Sequence, residues 1–359
     1  MDSRIETILF LEQIKNFKQN RIIELCNFGS LSDILENKEL LFNKKELQSY
    51  HESNFDFSLY DEAMDFLVKN DEFQIISIFD EEYPSQLKEI HFPPLYLYLQ
   101  GGFLERDRLS FAIVGSRDVS IQGRAITRTF SIDLSERGFV IVSGMAFGVD
   151  YEAHRGCTDF SRRTIGVLGN GISKNSNVAN EDLRDRIMSN NGLIISPFHP
   201  WVSACRYTFP IRNRIISGLS MGVLVTEARH KSGSLITAEY AIDQNRELFA
   251  CPGRIGDVNS EGCNYLIRSS KAKMVLDVND ILVEFEYLVT EKKEDMIEMY
   301  IPEGVEKKIF EYIRKNDATP DQLVEEFNIS LSEIMGYLFN LEMEGLIIKN
   351  GISYSGKPV

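Results

Sequence analysis

Apolar and polar residues follow two different periods along the middle of the chain. Short continuous apolar runs alternate with longer stretches in which apolar residues recur every three or four positions. Continuous runs are typical of strands that are buried on both faces, and the longer period is typical of helices. The runs predict strands at Phe111–Val114, Phe139–Val142, Thr164–Leu168, Leu193–Ser196, Gly222–Val225 and Glu247–Ala250.

Helical patterns lie between these predicted strands, at Ile121–Ser135, Glu181–Ser189 and Leu235–Asn245. Strands that alternate with helices indicate βαβ units and therefore a parallel, doubly wound sheet. The loops at the carboxyl ends of such strands lie along one edge of the sheet, where ligands bind. We predict an α/β core of this kind in residues 76–285.

The two ends of the chain differ from the middle. Residues 1–75 contain short amphipathic helical patterns and no Gly-rich loop, which predicts a helical N-terminal domain for packing or interaction. Residues 286–302 are strongly charged and suit a linker. Residues 303–359 predict a winged-helix domain, with helices at Val305–Arg314, Thr319–Phe327 and Ser330–Glu344 and a hairpin at Leu346–Tyr354.

Composition argues against several classes of protein. With 359 residues, of which 43% are hydrophobic and 26% charged, the chain is typical of a globular protein with more than one unit. The apolar runs are too short to span a bilayer and no signal-peptide pattern opens the chain, so we expect a cytoplasmic protein without a membrane partner. Five scattered cysteines and no closely spaced histidines predict neither a disulfide framework nor a metal site, and we expect no cofactor.

The net charge of −15 argues at first against a nucleic-acid partner. The charge is unevenly distributed, however, because residues 111–275 hold 20 Lys and Arg against 15 Asp and Glu. The rest of the chain holds 19 basic against 39 acidic residues. A mildly basic middle between acidic ends can bind phosphate groups locally, so the net charge does not exclude DNA.

Three loops that follow predicted strands contain residues suited to binding an anion. Gly115-Ser116-Arg117 offers a tight turn, free amides at a helix start and a guanidinium, although this triplet alone also fits an ordinary turn. Ser143-Gly144 opens a loop whose second glycine, Gly148, lets the backbone approach a ligand closely. The run Arg229-His230-Lys231-Ser232-Gly233-Ser234 offers hydroxyls and a nest of amides.

Some residues near these loops are suited to a structural role as well as to a functional one. Asp150 is suited to cap the helix that follows it. His154, four residues further on, either contacts a ligand or packs inside the protein. Arg117 either binds a phosphate or pairs with an acid such as Glu227 and holds the loop in place.

A fourth segment, Phe209-Pro210-Ile211-Arg212-Asn213-Arg214, combines an aromatic ring with two arginines. This combination suits single-stranded nucleic acid, which needs cations along its backbone and a ring on which a base can stack. The structural alternative is the start of a surface helix with solvated arginines.

Together these segments resemble the DNA-processing protein A (DprA/Smf) family over about residues 83–280. The motifs that carry the resemblance are Tyr83-Pro84, Pro93-Pro94-Leu95-Tyr96, Ala112 to Arg117, Ser143 to Asp150, Ala153-His154, Phe209 to Ile216, Glu227-Ala228, Ser232 to Ala238, Pro252-Gly253 and Gly262 to Asn264. The chain departs from the family pattern at Ser176-Asn177-Val178, Ser196-Pro197-Phe198 and Ser269-Ser270-Lys271.

The resemblance implies an extended Rossmann-like core that forms a homodimer and binds single-stranded DNA in a basic pocket. It also implies that the protein helps to load the RecA recombinase during natural transformation, and that helical N-terminal and winged-helix C-terminal domains flank the core. With Phe209 and Lys231 added from the segments above, the expected DNA-binding residues are Gly115, Ser116, Arg117, Ser143, Gly144, Phe209, Arg212, Asn213, Lys231, Ser232, Gly233 and Ser234.

An enzyme is the main alternative to a binding protein. Rossmann-like phosphoribohydrolases carry a Gly-Gly-x-Gly-Thr loop with a catalytic Glu three residues after the Thr. When Ser234 is aligned with that Thr, Thr237 stands where the Glu should be. The sequence also shows no nucleophile with a placed base, so we predict that the protein is not an enzyme and has no catalytic residues.

A third possibility is that the winged helix reads duplex DNA. Its predicted recognition helix, Ser330–Glu344, carries Glu333, Glu342 and Glu344 and no Lys or Arg. Carboxylates that face phosphates repel them. The sequence therefore predicts that this domain binds protein or packs on a neighbour.

Overall fold

The computed structural model describes residues 3–15, 17–56, 58–173, 181–285, 304–343, 347–350 and 353–356. The chain divides into two compact units, Met1–Glu284 and Phe285–Val359. The predicted N-terminal domain thus belongs to the same unit as the core, and its boundary at residue 75 stays a prediction. The predicted linker, residues 286–302, and the departure at 176–178 lie outside the described residues.

A mostly parallel sheet forms the centre of the first unit. Among the described residues it runs in the order β1-β2-β6-β5-β4-β3-β7-β8-β9. Strands β3 to β9 pair in parallel with one another, whereas β1 is antiparallel to β2 and β2 is antiparallel to β6. The strands are β1 (Phe73–Ser77), β2 (Tyr96–Gln100), β3 (Ser110–Val114), β4 (Val140–Ser143), β5 (Thr164–Val167), β6 (Leu193–Ser196), β7 (Gly222–Val225), β8 (Glu247–Ala250) and β9 (Lys273–Met274).

The structure confirms the predicted α/β fold with a mostly parallel sheet. The six predicted strands correspond to β3 through β8, and their ends differ from the prediction by at most one residue. Every residue of β3, β4, β6 and β7 is buried. These strands are continuous apolar runs because helices cover both faces of the sheet.

Helices surround the sheet and also form the N-terminal region. Two of the N-terminal helices begin with a capping box, at Ser30 and at Asn43, which satisfies the free amides of the first turn. The helices are α1 (Ser3–Leu11), α2 (Gln19–Phe28), α3 (Leu31–Glu36), α4 (Lys38–Leu41), α5 (Lys44–Glu52), α6 (Ser58–Lys69), α7 (Ser85–Lys88), α8 (Ile121–Glu136), α9 (Val149–Thr158), α10 (Glu181–Ser189), α11 (Thr208–Leu219), α12 (Ser234–Asp243), α13 (Glu261–Arg268) and α14 (Asn279–Leu282), with short 3₁₀ helices at Glu105–Leu109 and Val283–Phe285.

The strand order reverses around β3, which is the first strand of the parallel part along the chain. The chain proceeds from β3 to β4, β5 and β6 on one side and then returns to β7 and β8 on the other side. Such a switch point opens a crevice beyond the carboxyl ends of the neighbouring strands. The three glycine- and serine-containing loops predicted to bind an anion follow β3, β4 and β7, so the fold brings them together at this crevice.

The second unit has its own small core. Three helices, α15 (Gly304–Lys315), α16 (Pro320–Phe327) and α17 (Leu331–Met343), pack with an antiparallel pair of strands, β10 (Ile347–Asn350) and β11 (Ser353–Gly356). The three predicted helices and the two hairpin strands are present, while the hairpin turn lies outside the described residues. The assignment of this unit as a winged helix stays a prediction.

Candidate nucleic-acid interface

A cleft of about 580 Å³ opens at the carboxyl ends of β3 and β7. A smaller recess of about 190 Å³ adjoins it, and Arg117, Ala146, Phe209 and Arg212 line both cavities. Ten of the twelve predicted DNA-binding residues line the cleft: Gly115, Ser116, Arg117, Phe209, Arg212, Asn213, Lys231, Ser232, Gly233 and Ser234. Gly144 lines the recess, and Ser143 lines neither cavity.

The loop after β3 is held by backbone bonds to its neighbours. The amide of Ser116 donates to the carbonyl of Glu227 at 2.7 Å, and the carbonyl of Ser116 accepts from the amide of Val149 at 3.1 Å. A Cβ on Gly115 would lie 2.7 Å from the same Glu227 carbonyl, so only glycine fits at this point. The loop is therefore a rigid base on which the next residue, Arg117, extends toward solvent.

The predicted anion site at the start of α8 is already occupied by a carboxylate. Helix α8 begins after Ser120, whose hydroxyl accepts from the amide of Gly123 at 2.9 Å. The carboxylate of Glu227 accepts from the amide of Ser120 at 3.2 Å and from its hydroxyl at 2.9 Å. Glu227 thus takes the place of a bound anion at the amide of Ser120, so anion binding at this helix start stays a prediction that this geometry does not favour.

Arg117 does not pair with Glu227. Its guanidinium lies over the ring of Phe209, with its central carbon 4.8 Å from the ring centroid. Within the part of the chain that the structure describes, Arg117 is exposed and makes no ion pair. The stacking contact orients the guanidinium along the cleft wall and leaves its charge available to a ligand.

Arg212 lies at the floor of the cleft and is buried, with 4% of its surface exposed. Its Nη1 is 3.7 Å from the Oδ2 of Asp150, which is also buried. Burial lowers the pKa of Arg212, an effect that Asp150 opposes, yet the guanidinium stays protonated. A Cβ on Gly144 would overlap the Nη1 of Arg212, so the role of this glycine is to make room for the arginine.

The structure corrects the helix cap that the sequence suggested at Asp150. Helix α9 begins at Val149 after Gly148, which has a positive φ of 83°, and Asp150 is the second helical residue. Its carboxylate instead accepts from the amide of Ala146 at 3.4 Å and faces Arg212. Asp150 therefore belongs to the floor of the cleft.

His154 packs inside the protein and is not exposed to a ligand. Its Nδ1 lies 2.8 Å from the hydroxyl of Thr164, which itself donates to the carbonyl of Ile141 at 2.6 Å, so Nδ1 donates to Thr164. Burial lowers the pKa of His154 to about 3, which keeps the ring neutral. Ser143 is also directed into the sheet, since its hydroxyl donates to the carbonyl of Ile113 at 2.6 Å. A DNA contact by Ser143 stays a prediction that this geometry does not favour.

The loop after β7 forms the opposite wall of the cleft. The hydroxyls of Ser232 and Ser234 lie 2.8 Å apart, and the amide of Ser234 donates to Ser232 Oγ at 3.4 Å. Asn213 ties this loop to helix α11 through a bond from its Nδ2 to the carbonyl of Gly233 at 3.3 Å. Lys231 is exposed at the end of the loop and lines the cleft.

Two further arginines line the cleft, and sequence reasoning missed the first of them, Arg206, whereas Arg229 lies in the predicted loop after β7. Arg206 lies in the turn before α11 and is exposed, and Arg229 follows β7 and binds Asp118 at 2.6 Å and Asn259 at 2.8 Å. No motif marks Arg206, because its position depends on how the turn folds back over the sheet. Arg214 is absent from the residues that line the cleft and lies beside Tyr83 and Tyr240, where burial lowers its pKa.

The cationic side chains that line the cleft therefore form two groups, those in an ion pair and those without one. Among the described residues, five cationic side chains face two acidic ones, and Asp150 and Asp118 each neutralise one arginine. The cations without an ion pair are Arg117, Arg206 and Lys231, and all three are exposed. Such a surface is suited to phosphate groups that pass along it.

In the described ranges, no helix combines the length and apolarity that a membrane crossing requires. In the same ranges, no three His, Cys, Asp or Glu side chains are grouped as the ligands of a metal ion would be. Of the five cysteines, Cys205 is exposed and the other four are buried.

A doubly wound α/β sheet with a cationic cleft at its switch point defines the class of proteins that bind phosphate-bearing ligands at this edge. The family model described as DNA recombination-mediator protein A matches residues 74–286. The chain belongs to this family, whose proteins process DNA in recombination.

The most similar curated relatives include DNA processing protein DprA of Streptococcus pneumoniae. It is 42% identical over 218 residues, which are 60% of this chain and 75% of that protein. Protein Smf of Escherichia coli is 35% identical over 282 residues, which are 74% of this chain and 73% of that protein.

Two solved structures share the fold. The X-ray structure of DprA from Streptococcus pneumoniae superposes with a TM-score of 0.64 at 32% identity and covers 79% of this chain and 98% of that chain. DNA processing protein A from Helicobacter pylori, whose single-stranded DNA binding mode has been described structurally, superposes with a TM-score of 0.53 at 27% identity. That match covers 60% of this chain and 96% of the other.

Proposed function

We propose that this protein binds single-stranded DNA in the cleft between the loops that follow β3 and β7. The observation that carries the proposal is the row of exposed cations, Arg117, Arg206 and Lys231, beside the ring of Phe209. Exposed cations bind the phosphates of a single strand, and an aromatic ring at the same place offers a surface for a base.

The shape of the cleft favours a single strand over a duplex. Its volume of about 580 Å³ is that of a small-molecule site, so one or a few nucleotides fit into it. A rigid duplex presents its phosphates on a convex surface and does not reach buried Arg212 at the floor. A flexible single strand turns its phosphates inward and contacts the rim and the floor together.

The wider role follows from membership of the family. We propose that the protein protects incoming single-stranded DNA and helps to load the RecA recombinase onto it in natural transformation and recombination. The proposal includes action as a homodimer and a cytoplasmic location, where a recombinase and single strands meet. Support for these finer points comes from the family and not from a contact in this chain.

The protein acts by binding and not by catalysis in this proposal. Its cleft holds hydroxyls, but Ser232 and Ser234 bind each other, and the histidine closest in sequence to the loop after β4, His154, is buried and neutral. The position that a phosphoribohydrolase would fill with its catalytic Glu holds Thr237, which lines the cleft. Hydrolysis of nucleoside monophosphates by the purified protein would contradict this part of the proposal.

Fluorescence anisotropy with labelled oligonucleotides tests the main proposal. Full-length protein is titrated into a single-stranded oligonucleotide and into the matching duplex, each at two salt concentrations. We expect tighter binding of the single strand and an affinity that falls with salt, because a few phosphates displace bound cations. Equal affinity for the two forms, or no binding at low salt, would refute the proposal.

A further inference from the structure

The floor of the cleft contains its own anion. Asp150 Oδ2 lies 3.7 Å from Arg212 Nη1, and both side chains are buried. The Nε of Arg212 has no hydrogen-bond partner among the described residues. The guanidinium thus has an unused donor, while its charge is already balanced by a carboxylate.

We infer that Asp150 is the internal counter-ion of Arg212, that a DNA phosphate takes over this role when a strand binds, and that Asp150 then takes up one proton from solvent. This inference rests on the proposed function. A phosphate bound to Arg212 lies a few ångströms from the Asp150 carboxylate, since the two anions share one guanidinium. Two anions in a buried site repel strongly, and protonation of the carboxylate removes the repulsion.

The surroundings of Asp150 prepare it for this change. Burial raises the pKa of Asp150, and the charge of Arg212 and, more weakly, that of Arg117 oppose the rise. The amide of Ala146 is the backbone donor to its carboxylate. His154, one turn further along α9, has a pKa of about 3 because it is buried, so its charge does not change in the neutral range. A bound phosphate adds a second anion and raises the pKa of Asp150 further.

The direction of the pH effect follows from linkage. If binding takes up a proton, affinity rises as the pH falls through the pKa of Asp150 in the complex, and it levels off below the pKa in the free protein. The rise is at most about tenfold per pH unit, which is the limit for one proton. Protonated Asp150 no longer competes for Arg212, so the arginine is then free to bind the phosphate alone.

The chain offers a matched control at the rim of the same cleft. Asp118 pairs with Arg229 at 2.6 Å, but its side chain is 82% exposed. Solvent screens the charge of an exposed carboxylate from a nearby phosphate. Asp118→Asn and Asp150→Asn therefore remove the same charge from one cleft, and only the second removes a buried one.

Calorimetry of the full-length protein with oligothymidylate tests the inference. Titrations at pH 6 in two buffers of different ionisation enthalpy give the number of protons taken up on binding, and anisotropy gives the affinity from pH 5.5 to pH 8. We expect the wild type and Asp118→Asn to take up similar, measurable fractions of a proton. Asp150→Asn should take up less, should bind several-fold more tightly than the wild type at pH 8 and should show a flatter pH profile.

Several outcomes would overturn the inference. Equal proton uptake by the wild type and folded Asp150→Asn would do so, as would weaker binding by Asp150→Asn at every pH, which is the sign of a purely structural role. If Asp150→Asn does not fold, His230→Gln tests instead whether the proton is taken up by His230, the exposed histidine next to Lys231. Uptake that persists in His230→Gln supports the inference, and uptake that disappears refutes it. Binding without proton uptake refutes this inference alone, whereas no single-strand binding at all refutes the proposed function as well.

Discussion

Replacement of Arg117 by Ala is the most direct test of the proposed DNA-binding cleft. Arg117 is exposed, lies 4.8 Å from the ring centroid of Phe209 and makes no ion pair among the described residues. One charge-assisted contact to a phosphate contributes about 1.5–3 kcal/mol. We therefore expect Arg117→Ala to weaken single-strand binding by about 10- to 100-fold.

The salt dependence distinguishes a phosphate contact from a general effect. Each phosphate contact on a single strand contributes about 0.7 to the slope of log affinity against log salt. Arg117→Ala should lower the slope by about that amount, and affinity should fall about equally for different base sequences. Arg117→Lys should keep the slope, since it keeps the charge, but should lose part of the affinity because an ammonium cannot donate two parallel bonds.

The stability of the variants separates a functional role from a structural one. An exposed stacking contact contributes about 0.5–1 kcal/mol, so the melting temperature of Arg117→Ala should change little. Arg108→Ala is a matched control, because Arg108 is also exposed but lies before the amino end of β3, whereas the cleft lies at the carboxyl end of this strand. Unchanged affinity and salt slope in folded Arg117→Ala, or a loss that Arg108→Ala reproduces, would refute the assignment.

Three further predictions concern other parts of the chain. Gly144→Ala should displace Arg212 and weaken single-strand binding more than tenfold. Gly336→Ala is the control, because a Cβ on this exposed glycine of α17 would meet open space, and it should change affinity by less than about threefold. Equal effects of the two substitutions in anisotropy would contradict this prediction. Ser270 has a left-handed φ of 54°, so Ser270→Gly should raise the free energy of unfolding by up to about 1 kcal/mol. A lower free energy of unfolding for this variant in denaturant titrations would contradict the prediction. A truncated chain of residues 1–284, the first compact unit, should keep most single-strand binding, and loss of binding by the folded truncated chain would count against a site in the core.

The parallel part of the sheet could be predicted because its physical cause is local. Strands buried on both faces must be apolar at every position, and β3 through β8 are short apolar runs with polar loops between them. Strand β2 is equally buried, but it is antiparallel and lies outside the βαβ alternation that marked the others. Strand β9 has two residues, both exposed, so no apolar pattern in the sequence predicts it.

The candidate site was predictable in part, for a different reason. Gly115, Arg117 and Phe209 lie in segments whose residue types already suit an anion or a base, and the switch point of the sheet brings them together. The role of Gly144 could not be read from the sequence, because it depends on where the side chain of Arg212 lies in the folded protein. The same is true of Glu227, which fills a helix start more than a hundred residues earlier in the chain.

The acidic composition of the chain and its cationic cleft are compatible because the two charges act over different distances. A net charge of −15 repels a polyanion at long range, but salt screens this repulsion beyond about 10 Å. Inside that distance, under the proposed function, a strand would meet the exposed cations Arg117, Arg206 and Lys231 that line the cleft. Long-range repulsion weakens indiscriminate binding to duplex DNA, which depends on many distant charges, more than it weakens binding by a few close contacts. The acidic remainder of the chain therefore increases the preference for a strand that can enter the cleft.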